Sequence, residues 1–229
     1  MGDGPPLESQ SVDSGAAGGA GGPVLRLLSK GLELWLRQQC EAIEELQIQL
    51  EGSAAQLVRG RLEGVRLQAR GVSFQQLRFE RVELRSTPMQ VRMGVLLRSQ
   101  TLRLENPFEI SGRVSFSAEG LSSSLTAPPW SVLGDALAQD LLGQSPLGGV
   151  RFEGDRLILN LSATEPEQAL ERASRLRIED GGLVLRAETD ATGGVPTEAR
   201  LPRDPNIHFE QARVEGDRLE LHGRARVST

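Results

Sequence analysis

Between Leu46 and Phe116 apolar side chains recur at every second residue, and this period constrains the fold more than any other feature of the chain. Leu46, Ile48 and Leu50 alternate with Gln47 and Gln49, and Val65, Leu67 and Ala69 alternate with Arg66, Gln68 and Arg70. Successive side chains of a strand point to opposite faces, so each run has one apolar and one polar face. Leu77 and Phe79 are followed by Val82 and Leu84, a change from odd to even phase that predicts a bulge or turn near Glu80-Arg81. Val91, Met93, Val95 and Leu97 resume the odd phase, and Leu102 and Leu104 lead to a break at Asn106-Pro107. Phe108, Ile110, Val114 and Phe116 make a further strand. Strands are thus expected over 43–116.

Two regions follow a helical period instead. Pro23 opens a helix over 23–40, where proline suits the first turn. Val24, Leu28, Leu32 and Trp35 form its apolar stripe, widened by Leu25 and Leu36, while Arg26, Lys30, Glu33 and Arg37 form a polar row. Such a helix either packs on the protein's own core or lies in a membrane interface with Trp35 at headgroup depth. A helical region over 117–142 contains a short helix capped by Ser117. A second helix carries Val132, Leu133, Ala136, Leu137 and Leu141 at helical spacing.

The C-terminal part, 149–227, returns to strands. Glu153-Gly154-Asp155-Arg156-Leu157 recurs as Glu215-Gly216-Asp217-Arg218-Leu219, with a looser copy at Glu179-Asp180-Gly181-Gly182-Leu183. Each lies between alternating runs, where Gly and Asp supply the backbone of a hairpin turn. Three successive hairpins predict an antiparallel meander, with 188–206 as a connection. Residues 1–22, rich in Gly, Pro, Ser and Ala, read as a disordered tail that lacks the basic and apolar regions of a secretory signal. Residues 23–229 read as one domain, and the resulting fold class is α+β.

Composition narrows function. One Cys excludes a disulfide framework, and two His with no Tyr leave little material for acid–base chemistry. Cys40 has neither His in its sequence neighbourhood, and no phosphate loop, dinucleotide fingerprint or nucleophile elbow occurs. The expectation is a non-enzymatic protein with no catalytic residue, metal or cofactor. A small third possibility rests on His208, His222 and Asp217 converging in one cleft. The net charge of −5 hides a segment, 59–103, with ten Arg against three acids. That local +7 suits phosphate groups or solvated strand faces equally. Two Trp are too few for a base-stacking platform, so nucleic acid is not an expected partner.

Several stretches carry a family resemblance. They are Leu34-Trp35-Leu36-Arg37-Gln38-Gln39, residues 46–52, Gln56-Leu57-Val58-Arg59-Gly60-Arg61-Leu62-Glu63-Gly64-Val65, residues 74–84, residues 107–116 and Glu119-Gly120-Leu121-Ser122-Ser123-Ser124-Leu125. Over 34–142 the chain resembles the LmeA-like bacterial phospholipid-binding proteins, particularly their cyanobacterial branch. The resemblance implies a curved antiparallel sheet and helices around an elongated apolar groove, similar to tubular lipid-binding modules. It also implies phospholipid binding and a part in envelope or membrane maintenance.

On that basis Leu32, Trp35, Leu36, Leu121, Leu125, Trp130, Leu133, Leu137 and Leu141 are the expected groove residues. Arg66, Arg70, Arg78, Arg85 and Arg92 are the expected headgroup residues. The expected partner is a phospholipid or membrane surface, and the expected location is cytoplasmic or peripheral to a membrane, since neither a signal nor a transmembrane helix is read. An assembly module contacting a protein through a sheet edge or the first helix is the alternative. It predicts a sealed core.

Overall fold

Proline at the first turn and a stripe of leucines set up α1 (Pro23–Gln39), which buries Leu25 and half-buries Leu28, Leu32 and Leu36. This is a computed structural model, and it describes residues 23–90, 106–162, 170–188 and 197–228. The expected tail at 1–22, the alternating runs of 91–104 and Arg92 lie outside the described residues.

The alternating segments form β1 (Ala42–Glu51), β3 (Gly64–Phe74), β4 (Leu77–Ser86) and β6 (Phe108–Ser117). They join β12 (Ile207–Glu215) and β13 (Arg218–Val227) in a six-stranded antiparallel sheet of order β1-β3-β4-β6-β13-β12. A two-stranded ribbon pairs β2 (Arg61–Leu62) with β5 (Met89–Gln90). A five-stranded sheet contains β7 (Leu147–Glu153), β8 (Arg156–Leu161), β9 (Glu171–Glu179), β10 (Gly182–Ala187) and β11 (Glu198–Arg200) in sequential order.

The α+β class holds, with several corrections. Alternation conceals α2 (Ala54–Val58), whose start is a capping box. Ser53 Oγ accepts the Gln56 N–H at 3.2 Å, and Gln56 Oε1 accepts the Ser53 N–H at 2.7 Å. The expected single meander divides. The first two C-terminal hairpins and β11, inside the expected 188–206 connection, make the five-stranded sheet, whereas the third hairpin docks β13 against β6.

The bulge expected near Glu80-Arg81 is not one. Register between β3 and β4 is unchanged on both sides of Gly71, pairing Ala69 with Val82 and Val72 with Phe79. Gly71 has φ +56°, and β1 changes phase at the same rung, from Ile43 to Leu46. Ala69, Val72 and Val82 therefore share one core cluster despite the odd-to-even step. A Cβ on Gly71 would meet the exposed, flexible Glu44 side chain, which can move aside, so the step favours glycine for its backbone conformation.

The larger core lies where α3 (Ala118–Leu125) and α4 (Ser131–Leu142) pack with the five-stranded sheet and the adjoining ends of β6, β12 and β13. Ser117 caps α3 as expected, accepting the Gly120 N–H at 3.0 Å. Ser124 Oγ accepts the Arg78 N–H of β4 at 3.0 Å, and Ser122 Oγ accepts the Val150 N–H of β7 at 3.1 Å, so α3 joins both sheets.

Candidate functional site

The apolar face of the six-stranded sheet is not covered evenly. One end carries the larger core and the middle packs Ala69, Val72 and Val82 against Cys40 and Ile43. At the other end, α1 and the sheet enclose a cavity of about 440 Å³, inside the ~300–1,000 Å³ range of small-molecule sites. Its floor is Leu50, Val65, Leu67, Leu84, Ile110 and Val227, and its roof is Leu28, Leu32, Trp35 and Leu36 of α1. Leu57, Leu62, Met89 and Phe108 complete the wall with Ser86. Ser86 supplies the one side-chain hydroxyl among these lining residues, and its Oγ accepts the Val65 N–H at 2.9 Å. The wall is therefore mostly hydrocarbon, with the Ser86 oxygen already engaged. Such a surface selects for alkyl chains, since burying about a dozen methylenes at ~0.8 kcal/mol each contributes on the order of 10 kcal/mol before ordering costs.

Of the nine expected groove residues, Leu32, Trp35 and Leu36 line this cavity together. Trp35 is also 46% exposed, which puts its indole at the edge between cavity and solvent. The other six belong to the larger core: Leu121, Leu125, Leu137 and Leu141 are buried within it, and Trp130 and Leu133 pack against it. Trp130 donates its indole N–H to the Gln75 carbonyl at 2.7 Å, which fastens the start of α4 to the β3–β4 turn.

Strand alternation sets the arginines apart from the cavity. Val65, Leu67 and Leu84 face it, so Arg66, Arg70 and Arg85 project from the opposite, polar face of the sheet. There Arg85 and Arg66 each donate to Glu51 at 2.9 Å. The Arg85 hydrogen bond is the main reason the Glu51 carboxyl sits below the usual carboxylate range, with the charges of both arginines adding to it. Arg70 lies 3.9 Å from Glu45. The exposed Arg78 borders a shallow depression with Glu44, Glu80 and Glu119.

The remaining reactive groups occupy separate places. His222 Nδ1 is 3.2 Å from Glu210, which also takes Arg224 at 2.6 Å. His208 is paired with Arg224 in the β12–β13 ladder, and Asp217 sits in the turn at that hairpin's end. The Cys40 thiol is pushed above its ordinary pKa, first by burial and then by the neighbouring Glu41 charge.

Most of the floor was not singled out from the sequence. The signal was present: Val65, Leu67, Leu84 and Ile110 are the apolar halves of alternating runs. Alternation assigns a face, but only the crossing of α1 over one end of the sheet decides that part of the face remains open. Among the described residues no helix is long and apolar enough to cross a membrane.

A family model described as LmeA-like phospholipid-binding matches residues 19–224, well beyond the resembling stretch at 34–142. No curated protein and no solved structure matches the chain.

Proposed function

The chain belongs to the LmeA-like phospholipid-binding family, and from that premise we propose that the cavity between α1 and the six-stranded sheet holds the acyl portion of a phospholipid. The observation that carries this reading is the cavity itself, about 440 Å³ enclosed by leucine, valine, isoleucine, methionine and aromatic side chains. A module built only for assembly would have a sealed core at this position.

Contact with a bilayer is assigned to the outer side of α1. Leu27 and Leu34 are 70% and 61% exposed there, near Trp35, and the exposed Arg26 and Lys30 accompany them. Aliphatic side chains at headgroup depth with basic residues beside them describe a helix that lies on an anionic surface. The same helix forms the roof of the cavity, so docking would place the site next to its lipid source. In this reading the protein serves membrane maintenance by binding lipid at the membrane surface.

The test is to purify the protein from its native host and extract it for lipid mass spectrometry, alongside the Leu32→Glu variant. Phospholipid is expected with the wild-type chain and is expected to be largely lost from the variant, which places a charge in the cavity roof. Absence of phospholipid from the wild type, together with no uptake from vesicles, would overturn the proposal.

A further inference from the structure

The cavity does not end in solvent alone. Its wall at the β2–β5 ribbon, the paired Leu62 and Met89, is also the wall of a second depression of about 420 Å³. That neighbour is about half polar: Gln56, Arg61, Glu63, Gln90 and Asn106 line it with Leu62, Pro88 and Met89. The ribbon produces this contrast by alternation, because Leu62 and Met89 share one rung while Arg61 and Gln90 share the next.

The polar groups are arranged in a definite way. Gln56 is fixed through both ends of its amide, with Oε1 on the Ser53 N–H at 2.7 Å and Nε2 donating to Glu63 Oε1 at 2.6 Å. Glu63 is thereby oriented, and its second carboxylate oxygen takes no hydrogen bond or ion pair among the described residues. Asn106 Nδ2 donates to Gln90 Oε1 at 3.2 Å, which leaves the Gln90 amide N–H groups as donors. Arg61 is exposed and makes no ion pair among the described residues, in contrast to Arg66 and Arg85, which both donate to Glu51. A guanidinium with no ion pair among the described residues and an oriented carboxylate in one depression, beside an alkyl-lined cavity, match a ligand with both charges on its head and hydrocarbon below.

Resting on the acyl-binding reading above, we propose that this depression is the headgroup subsite for a zwitterionic glycerophospholipid with a primary amine. Its phosphodiester sits on Arg61 and its ammonium group on Glu63. Arg61 presents a forked donor suited to phosphate oxygens, and the Gln90 amide adds a neutral donor. The acyl chain passes over the Leu62–Met89 rung into the cavity. The charged arginines on the polar face of the sheet take no part.

The experiment compares three pyrene-labelled ligands with the same acyl chains: diacylglycerol, phosphatidylglycerol and phosphatidylethanolamine. Binding is read by energy transfer from tryptophan in the full chain. Arg61→Gln is expected to weaken both phospholipids about tenfold, the worth of one charge-assisted hydrogen bond, while diacylglycerol binding stays the same. Glu63→Gln is expected to weaken phosphatidylethanolamine alone. Arg66→Gln, on the opposite face, is expected to change none of the three. Phospholipid binding indifferent to Arg61→Gln would overturn the subsite, and phosphatidylethanolamine binding indifferent to Glu63→Gln would overturn its amine half. Failure of the wild type to bind even diacylglycerol would instead overturn the acyl cavity.

Discussion

Single residues show how strictly this fold separates polar from apolar surroundings. Ser174 of β9 is 0% exposed, and its Oγ has no hydrogen-bond partner among the described residues. A buried hydroxyl without a partner carries its desolvation cost uncompensated. Ser174→Ala is accordingly expected to raise stability by about 1 kcal/mol, read as a higher urea midpoint with an unchanged slope. Ser124 is the counterexample. It is just as buried, but it donates to the Gly120 carbonyl at 2.7 Å and accepts from Arg78, so the same substitution there is expected to destabilise. The two serines look alike in sequence because what distinguishes them is a partner supplied from 46 residues away in one case and lacking in the other.

Among the elements, legibility follows the range of the interactions. The 3.6 period and Pro23 make α1 readable, and the Gly-Asp and Asp-Gly turns make all three C-terminal hairpins readable, because those signals are local. The Ser53–Gln56 box was equally local, but it sits inside an alternating stretch whose period masks a five-residue helix. The partition of the hairpins between two sheets could not be read, since β13 finds β6 across more than a hundred residues. Helix α1 has an inner face with Leu25 and Leu28 in a core cluster and an outer one with exposed Leu27 and Leu34, and the sequence period alone does not say which face is covered. Replacing Leu27 and Leu34 together by Ser is expected to weaken flotation on anionic vesicles about tenfold or more, as each leucine loses ~1.5–3 kcal/mol of burial in the interface. Stability in the absence of vesicles is expected to change by no more than about 0.5 kcal/mol. Vesicle flotation and thermal unfolding of the same samples check the two halves of this statement.

On the scale of the whole molecule, the six-stranded sheet does two things along one face. At the end nearest α3 and α4 it is filled by the core of Phe116, Leu219, Leu221 and Val214, with Phe79 and Phe116 rings 4.8 Å apart. At the α1 end it is left partly open. The transition between them runs through the Gly71 rung, where three strands change phase together and keep the apolar side continuous. Ligand that binds only the folded state stabilises it by mass action, about 2.7 kcal/mol at a hundredfold excess over Kd. For a chain of this size lipid loading is therefore expected to raise Tm by roughly 5–10 °C, measured on delipidated and reloaded protein by calorimetry. The added stability is expected to vanish in Leu32→Glu, which leaves the larger core untouched.

That division of the sheet has a consequence for turnover. The leucines that keep the strands together under α3 and α4 are not the ones that line the α1 cavity, so in the proposed role an empty site would wet the α1 end while the larger core stays dry. An acyl site at that end can therefore be empty or filled without loss of the fold that surrounds the larger core.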